Sequence, residues 1–216
     1  MANAPWRLVT VDIDGTLTTR HGWLDIAREF GREADYFALL RRFRAGEIGE
    51  DENLTALLEL AEGHTLAEVE SVLAATPKLA HIPDGVAALR ARGVHVALLT
   101  HNPAYVTDWY CRFGGFEAAE GLVGRQPIRE VIGRPEGIRA NKSTGLQILT
   151  DRFVVLPSAV VHVGDGRADA AVFPSVGRGI ALNSQLPEVD RAADLVLRTT
   201  DFQVVVDAIL TLGARP

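Results

Sequence analysis

The chain has 216 residues, a formal net charge of −6, a hydrophobic fraction of 47% and a charged fraction of 23%. A disordered chain would combine low hydrophobicity with high net charge, so this composition indicates a folded protein with a buried core. The acidic balance and the absence of long basic runs argue against a nucleic-acid-binding protein. The length fits one core with a sizeable insertion.

Three features bear on the compartment. Cys111 is the single cysteine and cannot form an internal disulfide, which favours a reducing environment. Residues 1–7 lack the charged start and apolar stretch of a signal peptide, and no apolar run approaches the ~20 residues of a membrane helix. We therefore expect a soluble, cytoplasmic protein without a membrane partner, and both a monomer and a homodimer remain possible.

The first predicted element is a buried strand, Leu8–Val11, that ends in the turn Asp12-Ile13-Asp14-Gly15. The pattern from about residue 23 to residue 75 predicts several short amphipathic helices and no strand. Within it, Thr65 and Glu68 have the spacing of a capping box at a helix start. The turn thus delivers two aspartates from a strand, and a helical region follows it.

The rest of the chain alternates between strands and helices, apart from residues 115–140, whose Gly, Pro and Arg content leaves them without an assigned element. Near-continuous apolar strands are typical of a parallel sheet covered on both faces, which predicts a doubly wound α/β fold. The further predicted strands are 94–99, 159–163, 179–182 and 194–197. The predicted helices are 83–90, 104–113, 142–153, 169–176 and 202–212.

Polar residues follow three of the predicted strands. Asp12, Thr100 and Asp165 each stand at the carboxyl end of a strand, where ligands of such sheets bind. Lys142 begins a helix after a loop. These residue types suit phosphoryl transfer, because Mg²⁺ held by oxygen ligands can neutralise charge while a lysine, a hydroxyl and the backbone N–H groups of a glycine turn hold phosphate oxygens. A second carboxylate, such as Asp14, could give and take the proton.

Four segments occur in an order that resembles a known family. They are Val11 to Leu17, Leu98 to Asn102, Lys142, and Val163 to Phe173. Together they resemble the four motifs of the haloacid dehalogenase (HAD) superfamily, over nearly the whole chain. The resemblance implies a magnesium-dependent phosphate-monoester hydrolase that works through an aspartyl-phosphate intermediate on a small phosphorylated metabolite.

The resemblance also implies residue roles. Asp12 would be the nucleophile and Asp14 the general acid and base. Magnesium would be held by Asp12, the backbone carbonyl of Asp14, and Asp165, while Asp169 would orient a metal-bound water or the lysine. The residues expected to bind phosphate are Gly15, Thr100, His101 and Lys142.

The helical region resembles the C1-type cap of this superfamily, which closes over a small substrate. We expect a cap at residues 18–82 and an α/β core at residues 1–17 and 83–216.

Motif spacing and cap most resemble the phosphoserine phosphatase branch. That branch reads serine with a cap glutamate and a cap arginine, and His21 and Thr55 stand at those positions here. Ala168 replaces its usual asparagine, and the hairpin after the second motif looks shortened.

These departures predict a substrate other than phosphoserine, such as a sugar phosphate, a nucleotide-like ester or a biosynthetic intermediate. His21, Trp23 and Asn102 are the candidate substrate-reading residues. Tyr36 and Phe37 could also stack on a substrate, although an apolar cap interior explains such aromatics equally well. Arginines around the third-motif loop could touch a second anion or could simply be solvated; they are Arg125, Arg129 and Arg134.

Three alternatives share these residue types. A signalling receiver domain has no large insertion after its first strand, and its phosphoacceptor lies in a later strand than its acidic pair, so this alternative is disfavoured. A phosphomutase on the same fold and a non-catalytic phosphate-binding protein both remain open.

Overall fold

The computed structural model describes residues 5–125 and 130–213, and a parallel six-stranded sheet forms its centre. The strand order is β3-β2-β1-β6-β7-β8, and every neighbouring pair is parallel. The sheet confirms the predicted α/β fold. Its strands are β1 (Leu8–Val11), β2 (His95–Leu99), β3 (Ala119–Glu120), β6 (Val160–Gly164), β7 (Arg178–Leu182) and β8 (Leu195–Leu197). A separate antiparallel pair consists of β4 (Leu122–Arg125) and β5 (Glu136–Ala140).

Helices cover both faces of the sheet, as the doubly wound prediction requires. Alternate residues of β1 enter different apolar clusters: Val9 and Val11 pack with one set of helices and Leu8 with another. The helices outside the region that follows β1 are α5 (Ile82–Arg90), α6 (Ala104–Gly114), α7 (Lys142–Phe153), α8 (Arg167–Val172), α9 (Pro187–Ala192) and α10 (Phe202–Thr211). On one face α5 packs tightly against α10, because a Cβ at Gly85 would lie 2.6 Å from Phe202.

The region between β1 and α5 is helical and, among the residues that the structure describes, contains no named strand. Its helices are α1 (Gly22–Glu29), α2 (Glu33–Arg44), α3 (Glu50–Leu58) and α4 (Leu66–Ala75), with a 3₁₀ turn at Glu59–Ala61. The predicted capping box is present, since Thr65 and Glu68 exchange hydrogen bonds at the start of α4. Apolar side chains of this region join the cluster on one sheet face. The division into a cap at 18–82 and a core stays a prediction.

The segment without assigned elements contains β3, β4 and β5. The paired strands β4 and β5 lie against the helical region, because Asp51 of α3 accepts a hydrogen bond from the Ala140 N–H at 2.8 Å. Residues 126–129 between these strands fall outside the described residues. The β4–β5 pair therefore contacts the helices that follow β1.

One predicted helix was misplaced. The helix expected at 169–176 begins at Arg167 and ends at Val172, and a 3₁₀ turn, Phe173–Ser175, follows it. Pro174 lacks the backbone N–H that a continuing α-helix needs, which explains the early end. The ends of the other predicted strands and helices agree with the structure to within one residue. No helix among the described residues is long and apolar enough to cross a bilayer.

Candidate active site

The three central strands β2, β1 and β6 end beside one another and bring their terminal polar residues together. Val11 is paired with both Leu98 and Val163, so Asp12, Thr100 and Asp165 emerge at the same edge. A cavity of about 490 Å³ lies there, between this edge and the helical region. Every residue that the sequence predicted to carry chemistry lines it except Gly15. Those residues are Asp12, Asp14, Thr100, His101, Lys142, Asp165 and Asp169.

Lys142 joins two carboxylates at the base of the cavity. Its Nζ lies 3.0 Å from Asp12 Oδ2 and also donates to Asp169 Oδ1. Burial opposes the charge on all three groups, yet the two carboxylates raise the pKa of Lys142, and Lys142 with His162 lowers that of Asp169. Burial raises the pKa of Asp12, with Lys142 acting against it. The lysine is therefore a fixed cation beside Asp12, and Asp12 also lines the cavity.

His162 extends this cluster into the sheet and was missed by the sequence analysis. It lies on β6, is fully buried, and has its Nε2 2.9 Å from Asp169 Oδ1. Its Nδ1 lies 2.9 Å from the hydroxyl of Thr10 on β1. The second oxygen of Asp169 accepts the Gly166 N–H at 2.9 Å. Asp169 is thus held on both oxygens, which fits a residue that positions Lys142 better than one that binds a ligand.

Asp165 stands among other negative charges. Burial raises its pKa to about 8, and the charges of Asp12 and Asp169 add to the effect. One oxygen from each of these three carboxylates lies within 4.8 Å of the other two. The Thr16 hydroxyl donates to Asp165 Oδ1 at 2.8 Å, and Ser184 donates to its backbone carbonyl. Three carboxylates so close together form a site that suits a hard divalent cation, because such cations bind oxygen ligands.

Gly15 lies behind Asp165 and does not line the cavity surface. Its φ of +79° belongs to the left-handed region, and a Cβ there would lie 2.3 Å from Asp165 Oδ2. Its N–H donates to the hydroxyl of Thr18 at 3.0 Å. This N–H is thus engaged within the turn, so phosphate binding by Gly15 stays a prediction.

Asp14 is oriented by three residues of the surrounding loops. Its Oδ1 accepts the Gly22 N–H, and its Oδ2 accepts from Asn102 Nδ2 at 2.8 Å. The indole N–H of Trp23 in turn donates to Asn102 Oδ1 at 3.0 Å, and Asn102 also donates to the hydroxyl of Thr100. Trp23 and Asn102 were predicted to contact the substrate, but their polar groups form hydrogen bonds within this network. Both still line the cavity.

His101 connects the core edge with α3. Its Nδ1 lies 3.6 Å from Glu50 Oε1, and its Nε2 is buried without a hydrogen-bond partner among the described residues. Burial and the nearby charge of Lys142 lower the pKa of His101 to about 4. The imidazole is therefore neutral near pH 7.

The cap side of the cavity differs from the prediction in part. His21 lines the cavity as expected, whereas Tyr36 is buried beside it and Phe37 is exposed, and neither lines it. Instead, residues of α2 and α3 that the sequence analysis did not select form the wall. These are Phe43, Glu50, Asn53, Leu54 and Leu57.

The three arginines of the third-motif loop divide into two groups. Arg134 forms an exposed ion pair with Glu59 at 3.0 Å and does not line the cavity. Arg129 and the side chain of Arg125 lie outside the described residues. Contact of these arginines with a second anion stays a prediction.

Comparison with known proteins supplies independent information. A family model described as haloacid dehalogenase-like hydrolase matches residues 6–177. A phosphoserine phosphatase of Halobacterium salinarum is 28% identical over 90% of this chain and 93% of its own length. One from Archaeoglobus fulgidus is 27% identical over 85% of the chain, and the match spans only 54% of that relative.

Solved structures agree on the fold. A HAD family hydrolase from Salmonella enterica serovar Typhi has a TM-score of 0.82 at 19% identity, covering 94% of this chain and 70% of its own. A phospho-aspartyl intermediate analogue of phosphoserine phosphatase has a TM-score of 0.77 at 19% identity, and the match covers 94% of this chain and 98% of the other. At these identities the likeness concerns the fold alone.

Proposed function

Because the chain belongs to the haloacid dehalogenase-like hydrolase family, we propose that it hydrolyses phosphate monoesters of small metabolites through a phosphorylated Asp12, with Mg²⁺ as cofactor. The observation that carries the proposal is the contact between Lys142 Nζ and Asp12 Oδ2, 3.0 Å, at the base of a cavity that Asp14 also lines. A fixed cation beside a carboxylate lets that carboxylate approach an anionic phosphate.

The chemistry divides into two displacements at phosphorus. In the first, an Asp12 oxygen forms a bond to phosphorus while the ester P–O bond breaks, and Asp14 gives its proton to the leaving alkoxide. In the second, water attacks the phosphorus of the aspartyl phosphate, Asp14 takes its proton, and Asp12 and inorganic phosphate are released. The Gly22 N–H and Asn102 hold Asp14 in place for both proton transfers.

Phosphate oxygens would be held by the groups that surround Asp12. Lys142 supplies the positive charge, and Thr100, which also lines the cavity, has the hydroxyl expected to donate to phosphate. The backbone N–H groups after Thr100 and at the turn of Gly15 are further candidates, in keeping with the family resemblance. Fixed donors of this kind stabilise the charge that develops on the transferring phosphoryl group.

The carboxylates Asp12 and Asp165, with the backbone carbonyl of Asp14, would hold Mg²⁺. The cluster of three carboxylates and the raised pKa of Asp165 support this assignment, because both indicate negative charge that a divalent cation would relieve. When bound, the cation polarises the phosphate and shields its charge from the nucleophile.

The relatives named phosphoserine phosphatase make phosphoserine the substrate to test first. Two positions argue against it. Thr55 does not line the cavity, and its hydroxyl donates to the Asp51 carbonyl within α3. His21 lines the cavity where the related branch has a carboxylate. We therefore propose a phosphomonoester other than phosphoserine.

Release of inorganic phosphate from a panel of monoesters with and without Mg²⁺ tests the proposal. The panel includes phosphoserine, sugar phosphates, nucleoside monophosphates and p-nitrophenyl phosphate. We expect turnover that chelation and Asp12→Asn abolish, while the exposed Asp207→Asn, the same chemical change on α10, leaves it intact. Turnover that survives Asp12→Asn, or no turnover of any ester, would contradict the proposal.

A further inference from the structure

The helical side of the cavity carries an acidic group and aromatic residues. Glu50, the first residue of α3, projects from the cap side with its side chain 57% exposed. Trp23 and Phe43 line the same cavity, together with Asn53. A leaving group attached to a phosphate at Asp12 would extend towards this wall, because the base of the cavity is closed by the sheet edge.

The charge of Glu50 is not cancelled by its neighbours. His101, 3.6 Å away, is neutral because burial and Lys142 lower its pKa to about 4. Two described cations line the cavity from the core side: Lys142 is engaged by Asp12 and Asp169, and Arg167 is paired with Glu188 at 2.8 Å. Among residues 5–125 and 130–213, no lysine or arginine of the cap region lines the cavity. The wall therefore presents one net negative charge to a ligand.

Such a wall discriminates among phosphate esters by the charge of their alcohol. A carboxylate or second phosphate in the leaving group would face Glu50 without a cation in the described wall to compensate for it, which is unfavourable. An ammonium group would gain an ion pair with Glu50 and a contact with Phe43, since aromatic rings attract cations. A neutral alcohol gains neither interaction.

We propose that Glu50 selects phosphate monoesters of amino alcohols, in which the alcohol carries an ammonium group and no second anion. The proposal rests on the phosphatase function proposed above and narrows its substrate class. It assigns the recognition to α3.

Three esters of similar size isolate the charge. The alcohol portion of phosphoethanolamine carries an ammonium group, that of propyl phosphate is uncharged, and that of 2-phosphoglycolate carries a carboxylate. In the full-length protein with Mg²⁺ we expect kcat/KM to fall in that order. Glu50→Gln should lower the kcat/KM ratio of phosphoethanolamine to propyl phosphate by roughly 3-fold, since an ion pair with a half-exposed carboxylate is lost.

Glu52→Gln is the matched control. Glu52 lies two residues away on α3, pairs with Arg42 and does not line the cavity, so the ratio should stay at its wild-type value. A wild-type preference for the neutral or anionic ester, or an equal loss on all three esters in Glu50→Gln, would overturn the inference alone. Absence of turnover of all three esters and of p-nitrophenyl phosphate in the wild type would overturn the proposed function and the inference with it.

Discussion

The imidazole of His162 and the carboxylate of Asp169 form a hydrogen bond of 2.9 Å in a region closed to solvent. The same Asp169 oxygen accepts from Lys142, and Lys142 contacts Asp12. A continuous polar chain therefore runs from Thr10 in the sheet to the proposed nucleophile. His162 touches no cavity surface, so its effect on the reaction would pass through the position of Lys142.

Replacement of His162 tests this chain. We expect His162→Leu to lower kcat by about 10- to 100-fold with little change in KM, because Asp169, which positions Lys142, loses one of its hydrogen-bond partners while the cavity wall is unaltered. His162→Gln, which can still donate to Asp169, should recover part of the loss. Steady-state kinetics with p-nitrophenyl phosphate measure both effects.

The isosteric Thr10→Val provides a control for this experiment, since it removes only the outer hydrogen bond of the imidazole. A smaller loss of kcat than in His162→Leu is expected. If the leucine variant only melted earlier and kept the wild-type kcat, the positioning role of His162 would be wrong.

The network around Asp14 makes a second prediction. Asn102→Leu removes the donor to Asp14 Oδ2 and should impair protonation of the leaving group. The loss should reach about 100-fold for an alkyl phosphate and be much smaller for p-nitrophenyl phosphate, whose leaving group departs without a proton. Trp23→Phe, which keeps Asn102 but removes its indole partner, should give a weaker effect of the same kind. Equal losses on both esters would show that Asn102 serves binding rather than proton transfer.

The sequence predicted what strand periodicity and strand ends determine. Asp12, Thr100 and Asp165 were expected together because parallel strands bring their carboxyl ends to one edge, and the sheet does so. Strand β5 could not be recognised, since only Ile138 of its five residues is buried and no alternating pattern results. Sheet pairing, and not local sequence, forms that element.

The sequence also showed no sign of side chains whose roles depend on tertiary contacts. His162 stands in the apolar run of β6, where a histidine looks like a core residue, and its partner Asp169 lies on a later helix. Glu50 begins a helix whose rotation and tilt depend on packing against its neighbours. A one-dimensional pattern does not determine which face of such a short helix meets the cavity.

Gly15 offers a third prediction, on backbone geometry. Gly15→Ala combines a positive φ with a Cβ 2.3 Å from Asp165 Oδ2, so it should destabilise the fold by about 1–3 kcal/mol and abolish most activity. Thermal unfolding and phosphate release measure the two effects.

Two other glycines serve as controls that separate the backbone strain of a positive φ from the steric clash of an added Cβ. Gly31 has a φ of +68° with nothing within 4 Å, so Gly31→Ala should cost about 1 kcal/mol and leave activity intact. At Gly166 φ is −104°, and an added Cβ would lie no closer than 3.5 Å to another atom. Gly166→Ala should therefore leave the free energy of unfolding almost unchanged. A Gly15→Ala protein as active as Gly31→Ala would contradict the predicted collision.

The carboxylate cluster leads to a fourth prediction, on metal binding and stability. Asp12, Asp165 and Asp169 repel one another when no cation is bound, so Mg²⁺ should raise the melting temperature and chelation should lower it. At a concentration about 100 times the dissociation constant, the gain is about 2.7 kcal/mol. At a pH above the Asp165 pKa of about 8, where this carboxyl is ionised, Asp165→Asn removes one of the repelling charges and one proposed ligand. The variant should therefore melt above the wild type in chelator and gain little from Mg²⁺, whereas Asp207→Asn should respond to Mg²⁺ as the wild type does. An undiminished Mg²⁺ effect in Asp165→Asn would place the cation elsewhere, because the remaining pair of carboxylates is already engaged by Lys142.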